Sequence, residues 1–261
     1  MGRVIAIASG KGGTGKTTIT ANLGIALAKG GKKTLVIDAD VAMANLSLVL
    51  GMQSSPITLH DVLLGEAKIQ DAVYDGPSGL RVVPSGLSLE NYKRVDSERL
   101  KGIIEQLEKD YDFILIDVAA GIEKNVLSAL SAADETLLVT IPTTPSVADA
   151  LKTKIVAQRL NSKIIGVVMN FVMHENGEIS SKDISGMLEL PVFGEVPYDP
   201  EVRRSFMQKR SEPVVQRKPD SPAAIEIQKV AAHLMGVKFE AKPTVQKKKG
   251  LFSFLFFWKK K

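Results

Sequence analysis

The chain has 261 residues, no cysteine and a formal net charge of +5. Its length suits one α/β domain whose core needs no staples, and the missing cysteines exclude disulfides, thiolate metal sites and iron–sulfur clusters. No signal-peptide pattern opens the chain and no apolar run approaches the roughly 18 residues of a spanning helix, which points to a cytoplasmic protein not integral to a membrane.

Taken in order, residues 4–8 are an apolar run that predicts the first strand. Residues 10–18 read GKGGTGKTT and fit G-x-x-x-x-G-K-[ST], with Gly10, Gly15, Lys16 and Thr17 in register. In such a loop the backbone from Gly10 through Lys11, Gly12, Gly13, Thr14 and Gly15 to Thr18 cradles phosphates, while Lys16 neutralises them and Thr17 reaches Mg²⁺. Gly10, Gly12 and Gly15 also satisfy G-x-G-x-x-G, with Asp38 as a ribose ligand. A dinucleotide fold uses its third glycine for close helix packing, whereas Lys16, Thr17 and Thr18 follow at once here, the groups that a triphosphate and its metal require.

A helix predicted at 17–29 stops at Gly30 and Gly31, and a buried strand at 34–37 runs into Asp38, Ala39 and Asp40. Carboxylates at the carboxyl end of a parallel strand face the ligand edge of the sheet. Helical segments follow at 45–50 and 59–64, a turn-rich span at 65–86 holds a short strand at 80–83, and Ser97 caps a helix running to about residue 109. The strand at 111–116 ends in Asp117, ahead of Val118 to Gly121, a pattern matching the second metal-site element of nucleotidases. Strands at 136–141, 164–169 and 192–196 come next, the last two ending in Asn170 and Pro197. Pro213, Pro219 and Pro222 punctuate a loop before a helix at 223–235. This alternation is that of β–α units, and it predicts a three-layer α/β P-loop fold with a mostly parallel sheet flanked by helices over residues 1–240.

Residues 241–261 are a different kind of sequence. They hold seven lysines and no acid, so without them residues 1–240 carry a net −2. The lysine runs 247–249 and 259–261 flank an apolar stretch containing Leu251, Phe252, Phe254, Leu255, Phe256, Phe257 and Trp258. As a helix, residues 251–258 would be about 12 Å long against a hydrocarbon core of about 30 Å. The stretch cannot span, but it can lie in an anionic interface; a groove on the body or a partner's cleft are the rival destinations.

The loop KGGTGKTT has a second lysine, Lys11, and resembles the deviant Walker A loop of the MinD/ParA family of ATPases. Asp38-Ala39-Asp40 followed by Asn45-Leu46 is similar to that family's first switch and Asp117 to Gly121 to its second, while Asn170 and Pro197 sit where its adenine contacts fall. The resemblance covers roughly residues 1–235. It departs at Ala119, where the family usually has Pro, and at Ala44, where bacterial MinD proteins tend to carry a basic residue on a partner-facing helix.

The resemblance implies ATP or ADP and Mg²⁺ as ligands, with Asp38 and Asp117 joining Thr17 at the metal through water. Asp40 is the candidate for orienting the attacking water, and Lys11 is implied to cross a two-fold interface to the partner subunit's phosphates. An ATP-dependent homodimer would then join two weak tails, so that nucleotide state sets occupancy of the inner membrane face, where the protein recruits an unidentified protein partner and positions division or other assemblies. The runner-up is a ParA-like dimer coating DNA through Arg203, Arg204, Lys209, Arg210, Arg217 and Lys218. A nucleotide-gated adaptor with negligible turnover is the third. His60, His174 and His233 have no ligand-like spacing.

Overall fold

Near-continuous apolar runs make strands that must be covered on both faces. In the computed structural model, which describes residues 2–40, 44–52, 55–86 and 99–240, they do so. The strands are β1 (Arg3–Ala8), β2 (Thr34–Asp38), β3 (Tyr74–Asp75), β4 (Arg81–Val83), β5 (Phe113–Asp117), β6 (Glu135–Thr140), β7 (Lys163–Val172) and β8 (Val192–Pro197). They form one sheet in the order β3-β4-β2-β5-β1-β6-β7-β8, parallel throughout except for the β3–β4 pair. The helices are α1 (Lys16–Lys29), α2 (Leu46–Val49), α3 (Leu59–Leu64), α4 (Leu100–Glu105), α5 (Lys124–Ser131), α6 (Thr144–Arg159), α7 (Ser181–Leu188), α8 (Pro200–Phe206), α9 (Val214–Arg217) and α10 (Pro222–Met235).

The two-residue period of a strand sorts the apolar side chains into two cores. Val4, Ala6, Ala8, Leu35 and Ile37 join Leu63, Ile104, Leu130, Ala150 and Ile184 from α3 to α7 on one face. Ile5, Ile7, Val36 and Leu115 meet Leu23, Ile25 and Leu27 of α1, Val215 of α9 and Val230 of α10 on the other. Burying each such large side chain contributes about 1.5–3 kcal/mol. Helix α1 has no strongly polar face because it is enclosed on nearly every side. Gly24 lets it approach β2, since a methyl group there would lie 2.6 Å from Val36 Cγ2. Its buried Asn22 donates to the Thr18 carbonyl and accepts from the Val215 amide, which fastens α9 to α1.

Several elements differ from the sequence expectation. The third buried strand starts at Phe113, not at residue 111, because the Asp112 carboxylate accepts from the Lys33 amide and holds that segment in a loop. The helix expected from Ser97 begins at Leu100 and gives way to turns after Glu105; Ser97 itself lies outside the described residues. The expected 213–222 loop contains α9 with Pro213 at its N-cap, and Pro222 is a first-turn residue of α10, where a missing N–H leaves no bond unmade. Helix α10 ends at Gly236, in left-handed conformation, beside the start of β1: Arg3 donates to the Leu234 carbonyl at 2.6 Å. No helix among the described residues is long and apolar enough to cross a membrane.

Candidate nucleotide-binding site

The loop between β1 and α1 lies at the carboxyl end of the central strands. Gly13 and Gly15 have φ of 79° and 87°, which only glycine adopts without strain. Gly15 is the N-cap of α1, and neither a capping side chain nor an acidic first-turn residue satisfies the amides there, so the helix presents free N–H groups and the positive end of its dipole. A methyl group on Gly12 or Gly13 would meet nothing within 4 Å, so the cradle is open. The Thr14 hydroxyl is buried without a hydrogen-bond partner among the described residues. Gly10 packs on α6, with a Cβ there falling 2.3 Å from the Asp149 carbonyl oxygen, and the Ser9 hydroxyl donates to the Lys11 carbonyl at 2.7 Å. Together these contacts set the loop's shape without filling it.

Lys16 is buried, and desolvation lowers its pKa against the opposing pull of Asp117 and Asp40. The half-buried Lys11 makes no ion pair or side-chain hydrogen bond with the described residues. Asp38 and Asp117 face each other in register on neighbouring strands and are both almost fully buried. Asp38 accepts from the Asp40 and Leu46 amides at 3.1 and 3.2 Å, which ties the first-switch segment to the strand end. Asp117 accepts from Thr20 Oγ1 at 3.1 Å and also from the Thr17 hydroxyl. Burial raises the Asp117 pKa to about 6, against the Thr17 and Thr20 hydrogen bonds and Lys16, and burial together with Asp117 raises that of Asp38 well above the carboxylate range.

These residues fit a magnesium nucleotide. Asp117 and Asp40 act on one buried lysine and Asp38 adjoins both acids, an excess of negative charge that a divalent cation would offset. No group of three or more His, Cys, Asp or Glu among the described residues could hold a metal as a cage. An ion here would be held by the Thr17 hydroxyl, phosphate oxygens and water, with the acids one shell out, which is how magnesium is commonly bound.

Beside the loop is an apolar cavity of about 290 Å³, lined among others by Thr18, Ile19, Asn170, Pro197, Val202 and Phe206. The structure therefore brings Asn170 and Pro197 to one cavity with Thr18, while the Asn170 amide donates to the Thr14 carbonyl at 2.8 Å. Sequence reasoning missed Thr20, Asp199 and Phe171. Asp199 caps two helices, accepting from Glu201 N at 2.8 Å and from Ala223 N at 3.2 Å. An aspartate immediately before Pro200 is a legible cap signal.

A family model for an AAA domain matches residues 2–164. The chain is 48% identical to an uncharacterized ATP-binding protein of Methanocaldococcus jannaschii over 97% of this chain and 94% of that one. Its fold is similar to the cell division ATPase MinD of Pyrococcus furiosus (TM-score 0.87, 39% identity, 90% of this chain and 99% of that one). It is also similar to the septum site-determining protein MinD of Pyrococcus horikoshii complexed with Mg-ADP (TM-score 0.86, 38% identity, 90% and 96%). The chain belongs to the MinD/ParA family of P-loop ATPases.

As a member of this family it is an ATP-binding protein, and the open cradle at α1 lies where the shared loop motif places it. In the MinD/ParA chain in hand, the six residues of the basic cluster are partly engaged. Arg204 and Arg217 pair with Glu201, and Arg210 donates to the Gly51 carbonyl. Leu251, Phe252, Phe254, Leu255, Phe256, Phe257 and Trp258 lie outside the described residues.

Proposed function

We propose that this MinD/ParA-family protein is a Mg²⁺-dependent ATPase that dimerises around ATP and occupies the inner membrane face through residues 241–261, as a spatial regulator. The observation that carries the catalytic part is the pairing of an uncapped α1 N-terminus and open glycine cradle with buried Asp38 and Asp117 beside Lys16. Water attacks the γ-phosphorus, the bond to the bridging oxygen breaks with its electron pair leaving on ADP, and the water's proton departs with the phosphate product. Lys16 and the α1 amides neutralise the charge that spreads over the phosphate oxygens, and Asp40 orients the water. Bound through Thr17, magnesium would supply further positive charge to those oxygens. Lys11, with no partner of its own among the described residues, is free to reach the phosphates of a second subunit.

The membrane part rests on the sequence of the tail. Each lysine near an anionic surface contributes about 1 kcal/mol and a single short apolar segment holds only weakly, so pairing two tails gains about 10²-fold in avidity. Flotation with anionic liposomes tests it: binding should require ATP and vanish when residues 247–261 are removed. Binding that ignores the nucleotide, or survives the truncation, would sink the reading. A DNA-coating dimer draws less support, because half of the basic cluster is already engaged within the body. Salt-sensitive DNA binding by the truncated protein would revive it.

A further inference from the structure

Neighbouring residues of a strand point to opposite faces, yet Asn170 and Phe171 both address the phosphate loop. From the position a Cβ of Gly15 would take, Asn170 Nδ2 is 2.2 Å away and Phe171 Cε2 only 3.6 Å. The cause is a β-bulge. Met169 pairs with Glu195, but the next matched pair is Val172 with Pro197, three steps along β7 against two along β8. The extra residue lets Asn170 turn inward, where it is 5% exposed and holds the Thr14 carbonyl. Phe171 has φ 55° and turns its 38%-exposed ring to the mouth of the apolar cavity.

A left-handed backbone is unusual for a bulky aromatic residue and persists only where the surroundings enforce it. Here they do so on both sides. Asn170 is fixed to the loop before Phe171, and after it the Tyr198 amide donates to the Val172 carbonyl while the Glu178 carboxylate accepts from the Met173 and His174 amides. Such strain at the rim of a cavity is characteristic of a ligand clamp. The cavity is at the small end of ligand pockets, sized for a ring system more than for a whole nucleotide. Among the described lining residues the one carboxylate is Asp199, whose two oxygens each already accept a backbone amide, from Glu201 and Ala223.

We infer that Phe171, presented by the β7 bulge, stacks on the nucleotide base across the cavity from Pro197 and determines the protein's preference for purine triphosphates. The inference rests on the ATP-binding reading above and adds a specificity-determining residue to it. Stacking favours the larger purine face over a pyrimidine, whereas the phosphates are gripped separately by the glycine loop and Lys16.

The test is equilibrium binding in Mg²⁺ of ATP, CTP and inorganic tripolyphosphate, which has the phosphates and no base. Phe171→Ala is expected to weaken ATP about ten- to a hundredfold, in line with removal of one base–aromatic stack. CTP should weaken less and tripolyphosphate not at all, and Phe171→Tyr should retain the parental order. Phe171→Asn, a residue that tolerates positive φ, should unfold at a higher temperature than the parent while losing ATP affinity as Phe171→Ala does. Equal weakening of ATP and tripolyphosphate would mean that the ring merely props Gly15, and it would overturn the inference, as would unchanged ATP binding in Phe171→Ala. A parent protein that binds tripolyphosphate but not ATP would also overturn it, whereas one that binds neither would remove the nucleotide reading beneath it.

Discussion

Replacing Asp117 by Asn should stabilise the protein at neutral pH while weakening its response to magnesium. Burial raises the carboxyl pKa from 3.8 to about 6. The folded state therefore binds more protons than the unfolded state between those values, and the parent loses stability as pH rises across that window. The rise corresponds to about 3 kcal/mol above pH 6 and to nothing below both pKa values. Asparagine keeps an oxygen to accept from Thr17 and Thr20, and it relieves the burden that Asp117 places on Asp38. Some of the gain is offset by burying an amide, so an increase of about 5 °C in unfolding temperature above pH 6 is the expected size for a chain of this length. The assay is thermal unfolding of nucleotide-free protein in chelator, stepped from about pH 4 to about pH 8, and repeated with Mg-ATP. Without metal the variant should lead above pH 6 and its advantage should shrink towards pH 4; with Mg-ATP the parent should gain more. A variant less stable than the parent at pH 7 without metal, or one whose advantage grows towards acid, would refute the buried-charge argument.

Gly12→Ala and Gly15→Ala separate folding from binding. At Gly12 a methyl group meets open space, so stability should hold within about 0.5 kcal/mol while Mg-ATP titration shows reduced affinity. At Gly15 the left-handed backbone and the collision with Asn170 Nδ2 should remove about 2–3 kcal/mol in urea unfolding and abolish binding as well. His60 is buried with neither ring nitrogen hydrogen-bonded among the described residues, and burial lowers its pKa against the pull of Asp61. The unfolded state therefore takes up the proton first, and stability is lost as pH falls below the unfolded value near 6.5. His60→Leu should stabilise more at pH 5 than at pH 8, and an equal gain at both would exclude the titration as the cause. Asp199→Ala strands two helix-start amides and should lower stability by about 2 kcal/mol in the same unfolding assay.

The buried strands and the phosphate loop were legible because each is dictated locally, by apolar runs and by glycines at fixed offsets before Lys16. The carboxylates could be placed at strand ends, and the register that sets Asp38 opposite Asp117 follows once β2 and β5 are neighbours. Helices α5 to α9 were not delimited. The end of α7 rests partly on a tertiary contact, in which Lys154 Nζ donates to the Leu188 carbonyl. Pro213 and Pro222, which read as loop punctuation, lie at the cap of α9 and in the first turn of α10, since proline is compatible with both settings. Phe171 was invisible for a different reason. One-dimensional alternation assigns it to the face opposite Asn170, and only the mismatch in length between β7 and β8 reverses that.

Helix α10 finishes at the foot of β1, held there by Arg3, whereas the glycine cradle sits at the head of the same strand. The end of the last described helix and the nucleotide cradle are thus at opposite poles of one sheet. On the function proposed above, a change at the γ-phosphate would act on residues 241–261 through the joining of two molecules, with no contact between cradle and tail required.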